Sequence, residues 1–358
     1  MSAMTAALRA CVLLPACFAA SALAQPQQRF SSPAELMQML ESSDVVYKIM
    51  PLDKLDLKPD QLLDALFPPR FEKIEFPFVE RQGGARRLRP FTFDPRAMAA
   101  LQAAEPLFQK KDYPAAIAGY EKALGFQPDC YLALSHIGDC HLFSGQPGKA
   151  LGFYERAIAA NGFDHRTWYY KGNALNKLGR FAEARQAYIE ALARFPRHGN
   201  SLDVLQALEK TYGVKVVRDL FAPQAFARRE GEAVAVYFDP GGPASTAWLA
   251  YASAKAVWIG EPAHRKARTG AEAEAWSPTQ ELECLGALIS TYADVKASGE
   301  GVAVRQLDRL LRIAKAGYLG EFILWEAASR IYPDVMQEQS SYERMKEFIR
   351  RFVVVEVK

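Results

Sequence analysis

Four side chains able to bind a soft metal or act as nucleophiles crowd one stretch: Cys130, His136, Cys140 and His141. His136 and Cys140 are four apart, the spacing that puts two ligands on one face of a helix. Cys140 and His141 would point about 100° apart on such a helix, and no Cys-x-x-Cys pair completes a zinc set. Ordinary packing is therefore the expectation, and no metal is expected. Glu281 and Glu283 could work as an acid–base pair only if they faced each other, which residues two apart on a helix do not. Gly148-Lys149 lacks the upstream glycine and following hydroxyl of a phosphate-cradling loop. No His-Glu-x-x-His, serine elbow or dinucleotide fingerprint occurs. His165, His198 and His264 fall near expected turns. No catalytic residue is nominated and no cofactor is implied.

Composition narrows the classes further. The 358 residues are 50% hydrophobic and 24% charged, with a formal net charge of +3. A disordered chain, a collagen-like fibre and a small disulfide scaffold are excluded. A phosphate-neutralising nucleic-acid binder would carry a larger basic excess, so no nucleic-acid partner is expected. Local charge does gather once. Arg81, Arg86, Arg87 and Arg89 could hold phosphate, lipopolysaccharide or anionic lipid, although a solvated loop is the plainer reading.

Residues 1–24 carry a single charge, Arg9, and an apolar run that ends Ala22-Leu23-Ala24 before Gln25. This reads as a secretory signal peptide cleaved after Ala24, giving a periplasmic or secreted protein. Leu14-Pro15-Ala16-Cys17 offers the alternative of a lipoprotein anchored through Cys17. No later stretch reaches about 18 uncharged apolar residues, so no membrane span is expected. Three cysteines follow the leader: Cys130, Cys140 and Cys284. Cys130 and Cys140 would lie about 15 Å apart along a helix, too far to bridge. Buried thiols are the plain expectation for all three, a bridge to Cys284 the alternative.

The elements that would position any site are announced by a period. Ala116, Ala150 and Ala184 are 34 apart; so are Tyr120, Tyr154 and Tyr188, and Ala123, Ala157 and Ala191. Gly138 and Gly172 share the spacing, and Pro128 recurs two periods on as Pro196. Small residues at fixed positions let paired helices approach closely, Gly145 and Gly179 mark turns, and the prolines stop second helices. The pattern resembles three tandem tetratricopeptide (TPR) repeats at 97–130, 131–164 and 165–198. Repeat one departs with Ala104 in place of glycine, repeat two with Gly162 in place of proline. Residues 200–213, with Leu202, Leu205, Leu208 and Tyr212 on one face, read as a capping helix that Gly213 ends.

That resemblance implies a concave groove lined by the first helix of each repeat. Repeat one would offer Met98, Leu101, Gln102, Glu105, Phe108 and Gln109; repeat two Leu132, Ser135, His136, Asp139, Leu142 and Phe143. Repeat three would offer Arg166, Tyr169, Tyr170, Asn173, Asn176 and Lys177. Leu101, Glu105, Ser135, His136, Asp139, Arg166, Tyr169, Tyr170, Asn173 and Lys177 are the partner-binding candidates, Tyr169 and Tyr170 foremost. The family's cationic clamp for a terminal carboxylate is not expected, because Leu101, Glu105 and Asp139 stand where cations or amides would be needed. Flanking segments could instead fill the groove.

The flanks match no known family. Segment 25–96 reads as mixed, with short helices at 33–40 and 58–66, extended stretches at 44–50 and 71–79, and a Gly83-Gly84 joint. Segment 214–358 reads as a mainly helical domain with a small strand pair. Ala233–Phe238 would be a strand closed by Asp239-Pro240-Gly241-Gly242-Pro243, and the β-branched run at 352–357 its partner. Helices are expected at 244–258, 277–297, 302–317, 319–331 and 340–350. The fold class is thus mostly α, a three-repeat solenoid (97–213 with its cap) between two flanking parts. The function expected is an exported, non-enzymatic scaffold that binds a protein or peptide in the groove, within a bacterial envelope complex. The alternatives are an enzyme with its site in 214–358 and a binder of anionic glycan or lipid through Arg81–Arg89, with weak envelope association.

Overall fold

The structure, a computed structural model, describes residues 30–66, 74–82, 85–272, 274, 276–299, 301–327 and 342–357. The leader at 1–24, the lipidation candidate Cys17 and the Gly83-Gly84 joint lie outside the described residues. Along the chain, α1 (Pro33–Ser42), β1 (Tyr47–Pro51) and α2 (Pro59–Leu66) precede a hairpin of β2 (Pro77–Gln82) and β3 (Ala85–Pro90). Six helices follow in pairs: α3 (Pro95–Gln109) with α4 (Tyr113–Phe126), α5 (Tyr131–Phe143) with α6 (Pro147–Ala160), and α7 (His165–Lys177) with α8 (Phe181–Arg194). Next come α9 (Gly199–Ala207), α10 (Glu209–Tyr212), β4 (Val214–Val216), β5 (Ala225–Glu230) and β6 (Ala233–Phe238). The chain closes with α11 (Ser245–Gly260), α12 (Pro262–Thr269), α13 (Pro278–Ala297), α14 (Arg305–Lys315), α15 (Leu319–Ala327), α16 (Tyr342–Phe352) and β7 (Val354–Glu356). The mostly helical class expected from the sequence holds.

Two units divide these elements. Residues 74–218 with 342–357 form one, residues 30–66 with 219–327 the other. The expected boundaries at 96/97 and 213/214 both fall inside the repeat unit, and each unit draws its elements from both sides of the repeats.

In the repeat unit the helix starts follow side-chain chemistry. Asp94 caps α3 by accepting the Arg96 N–H at 2.8 Å, with Pro95 in the first turn. Asp164 caps α7 in the same way, accepting from Arg166 N–H at 2.9 Å. Gly145 and Gly179 take left-handed φ values of 79° and 70° just past the ends of α5 and α7. All nine alanines and tyrosines of the 34-residue register are fully buried. Gly138 and Gly172 are needed for that packing: a Cβ on either would stand 2.7 or 2.6 Å from the ring of Tyr154 or Tyr188. Repeat one inverts the arrangement. Its Ala104 methyl fits because the facing residue is Gly119, where a Cβ would lie 2.7 Å from that methyl.

The cap is two helices rather than one, since α9 stops at Leu208 and α10 restarts, although Leu202, Leu205 and Tyr212 are buried and Gly213 ends the segment at φ 62°. Beyond it β4 pairs antiparallel with β7, Val214 opposite Glu356 and Val216 opposite Val354. The terminal strand therefore pairs with β4, just after the cap, and not with Ala233–Phe238. Met345, Phe348 and Ile349 of α16 are buried, and Lys346 Nζ reaches Glu190 Oε1 on α8 at 2.8 Å.

The second unit is built on β6, whose Ala-Val-Ala-Val-Tyr-Phe run is buried along its whole length. Such a run suits a central strand with both faces covered. β5 pairs with it antiparallel, Ala225 opposite Phe238, and β1 pairs parallel, Tyr47 opposite Val234. Both edges of β6 are thereby taken, which is why the terminal strand finds its partner elsewhere. Asp239 closes β6 by accepting the Gly241 N–H at 3.0 Å. α11 covers the sheet and packs on α13, and α12 is a helix that the sequence pattern did not announce. Cys130, Cys140 and Cys284 are free and buried, so none bridges to another. Among the described residues, no helix is long and apolar enough to cross a membrane.

Candidate functional site

The first helices of the repeats pack side by side. Tyr131 at the start of α5 donates its hydroxyl to Asp164 Oδ2 at 3.1 Å, and Thr167 of α7 reaches Ser135 of α5 at 3.5 Å. On the face they form, the predicted contact residues divide into three groups.

One group is internal. Leu101 packs in the repeat core with Ala97, Ala100 and Ala104, and Ser135 is buried between helices. Glu105, Asp139 and Asn173, which occupy the same position in successive repeats, each accept the hydroxyl of the tyrosine fifteen residues later. Tyr120 donates to Glu105 Oε2 at 3.2 Å, Tyr154 to Asp139 Oδ1 at 2.7 Å and Tyr188 to Asn173 Oδ1 at 2.7 Å. Burial and then the neighbouring carboxylate hold the Tyr120 and Tyr154 hydroxyls well above the ordinary tyrosine range. These three acceptors lock the two helices of each repeat. Reading them as partner contacts missed this, although a 34-residue period of acceptors fifteen before a 34-residue period of tyrosines was legible in the sequence.

A second group, Arg166 alone, borders the hairpin flank with its side chain 43% exposed. Arg166 clasps Asp164 through Nε at 2.9 Å and Nη2 at 2.5 Å, and its guanidinium lies 5.7 Å from the Phe76 ring. Burial opposes ionisation of Asp164, yet the Arg166 hydrogen bonds and charge outweigh it and hold the carboxyl below its usual range. Phe91 packs 4.9 Å from Tyr131, Phe76 5.2 Å from Phe93, and Asn161 Nδ2 donates to the Pro77 carbonyl at 3.0 Å. The flank thus packs beside the end of the face where Arg166 lies. β2 and β3 set the basic segment 81–89 in a hairpin, with Arg81 opposite Arg86 and Glu80 opposite Arg87, rather than in a loop. The side chains of 81–87 lie outside the described residues.

A third group remains accessible. Phe143, at the end of α5, is 51% exposed. Its ring stands 6.0 Å from Phe108 of repeat one and 6.3 Å from Tyr170 of repeat three, edge-on to both. Tyr170 continues to Tyr169 at 5.1 Å, and Tyr169 to His198 at 5.3 Å. His136 stacks on Tyr120 at 5.2 Å with Nδ1 3.4 Å from Asp139, and Lys177 is exposed. A row of aromatic rings therefore crosses all three repeats.

The suspected metal cluster does not converge. His136 lies on Tyr120, His141 stacks on Phe153 at 5.4 Å, and burial with the Asp139 charge pushes the Cys140 thiol up to about 12. Among the described residues, no three His, Cys, Asp or Glu side chains gather to hold an ion.

The second unit holds the charges that sequence reasoning passed over. Glu281 and Glu283 on α13 are both buried and, as two-apart spacing dictates, face different partners. Glu281 takes the Tyr251 hydroxyl at 2.8 Å and the ammonium of Lys255. Glu283 accepts four donors: Trp258 Nε1 at 2.7 Å, His264 Nε2 at 2.8 Å, Ser31 N–H at 2.7 Å and Arg268 Nη2 at 3.1 Å. The available signal was Lys255, the one charge in the sixteen residues of α11, since a buried ammonium demands a counter-ion. A cleft of about 320 Å³ lies between Leu220, Phe221, Arg305, Arg309, Leu310 and Phe322; neither carboxylate lines it.

Residues 101–165 and 137–199 match the family model described as Tetratricopeptide repeat. These are TPR repeats. Solved TPR-containing structures are similar at low identity. The first TPR of Spaghetti (RPAP3), bound to the HSP90 peptide SRMEEVD, is 18% identical over 33% of this chain and 94% of its own, with TM-score 0.32. PilF of Pseudomonas aeruginosa is 16% identical over 66% of this chain and 88% of its own, with TM-score 0.31. MamA is 12% identical over 66% of this chain and 98% of its own, also with TM-score 0.31. No curated protein matches the chain.

Proposed function

We propose that the chain is a non-enzymatic adaptor that holds a partner protein or peptide on the first-helix face of its TPR repeats. The observation that carries the reading is the accessible aromatic row Phe108–Phe143–Tyr170, because a half-exposed ring spanning two others is an anchor awaiting a partner. The apolar run before Ala22-Leu23-Ala24 supports export, and with it a place in the periplasm or a bacterial envelope complex. Cys17 remains the alternative, lipidated anchor.

Capture from envelope extract tests the proposal, with residues 25–358 and a Phe143→Ala/Tyr170→Ala variant of unchanged helicity as baits. A protein retained by the parent and lost by the variant is expected. Equal recovery with both baits would place the contact elsewhere and send attention to the second unit and the enzyme reading.

A further inference from the structure

We infer that the outer face of α3 and α4, at the open end of the repeat stack, is a second docking surface. Its occupant is an amphipathic helix of a partner protein that carries a carboxylate beside its apolar stripe. The surface is separate from the first-helix face, and the inference does not rest on the adaptor reading.

The same face occurs once in each repeat, and two of the three are covered by a helix. In repeat two, α4 packs on α5, and Ala133 and Ile137 are fully buried in a core shared with Tyr120 and Ala123. In repeat three, α6 packs on α7, and its Glu155 Oε1 meets Lys171 Nζ at 3.3 Å. There α16 also lies against α8, with Lys346 Nζ reaching Glu190 Oε1 at 2.8 Å.

Repeat one carries the counterparts 34 or 68 residues earlier: Ala99 for Ala133, Ala103 for Ile137 and Lys171, and Lys122 for Glu190. All three are exposed, and Phe126 is 36% exposed. With Leu107 and Gly119 they line an open groove of about 430 Å³. The end of a solenoid ordinarily turns a polar face to water, whereas this one is largely alanine, leucine and phenylalanine.

Shape selects a helix. The groove follows α3 from Arg96 to Leu107, about 17 Å or three helical turns at 1.5 Å per residue. Ala99, Ala103 and the bare Gly119 let a helix backbone approach closely, as helices of this chain do on the other two repeats.

Charge selects its flank. Arg96 is held by Asp94 and lies 5.0 Å from the Phe126 ring, while Lys122 has no ion-pair partner among the described residues. Repeat three has Glu190 here, met by a lysine of the incoming α16. Repeat one has the opposite sign, so its incoming helix brings a carboxylate. A second copy seated about a two-fold axis would instead set this basic rim against itself.

Fluorescence anisotropy on the intact protein tests the inference with two labelled, helix-constrained peptides of about four turns. Both present an alanine-leucine stripe, one flanked by glutamates and the other by lysines. The glutamate peptide is expected to bind about tenfold more tightly, with a difference that shrinks as salt is added. Lys122→Glu should reverse the order. Ala103→Arg should fill the groove and weaken binding at least about tenfold. Because Ala103 is exposed on a helix that arginine suits, thermal unfolding of that variant should match the parent. Phe143→Ala/Tyr170→Ala should leave peptide binding unchanged, which separates this surface from the proposed groove. Absence of binding, equal affinity for the two peptides, or binding that Ala103→Arg does not move would each overturn the inference. So would a dimer in sedimentation velocity that Ala103→Arg abolishes, since the occupant would then be a second copy.

Discussion

Tyr154 donates its hydroxyl to Oδ1 of the buried Asp139 at 2.7 Å, across the two helices of repeat two. The same bond joins Tyr120 to Glu105 and Tyr188 to Asn173, so one polar lock recurs in a stack otherwise held by alanines and rings. Its strength should follow burial. Tyr154→Phe leaves a buried carboxylate with, among the described residues, the His136 Nδ1 at 3.4 Å as its side-chain partner, and should cost about 1–3 kcal/mol. Tyr120→Phe should cost less than about 1 kcal/mol, because Glu105 is half-exposed and water replaces the hydroxyl. Urea unfolding of both variants checks the order, and equal costs would contradict it.

Ala104 and Gly119 make a second, reciprocal relationship. Gly119→Ala drives a methyl to 2.7 Å from the Ala104 Cβ with a helix backbone directly behind it, and should destabilise by about 1–3 kcal/mol. Ala104→Gly should cost about 1 kcal/mol from helix propensity. The double exchange moves the methyl to the other helix, as in an ordinary repeat, and should cost at least about 0.5 kcal/mol less than the sum. Additive costs in thermal unfolding would show that the two sites do not share one space.

How much was legible follows from where the information sits. Gly138 and Tyr154 are sixteen apart and repeat at 34, so period and packing partner could be read together. The locks at Glu105, Asp139 and Asn173 had the same period but were masked by the family's habit of placing partner contacts there. The pairing of β1 with β6 joins Tyr47 to Val234 across almost two hundred residues, and no local pattern in either strand names the other. Likewise β7 has the composition of a strand, but Val354–Glu356 carries nothing to distinguish β4 from β6 as its mate. The aromatic contacts were half visible: Phe108, Phe143 and Tyr170 lie at different repeat positions, and only their helices' packing brings Phe143 against the other two rings.

Glu283 shapes the response to acid. Burial alone would raise its pKa, but the hydrogen bonds from His264 and Ser31 N–H, with the charges of His264 and Arg268, outweigh it and hold the carboxyl below its ordinary range. A carboxylate whose folded pKa is depressed contributes stability that is present above its unfolded value, about 4.3, and lost as pH falls through the folded value. Asp164, held down by Arg166, acts with the same sign in the repeat unit. Acid should therefore weaken both units from just above pH 4 downward, by protonating carboxylates whose partners require the charge. Glu283→Gln keeps the shape of the side chain but removes the charge facing Arg268 and turns one acceptor into a donor. The variant should be less stable than the parent at pH 7, and its stability should fall less steeply between pH 5 and pH 3. Urea midpoints at half-unit pH steps measure the slope. Parallel slopes for the two proteins would mean that Glu283 does not titrate on unfolding, and that the acid response belongs to Asp164 and the other paired carboxylates.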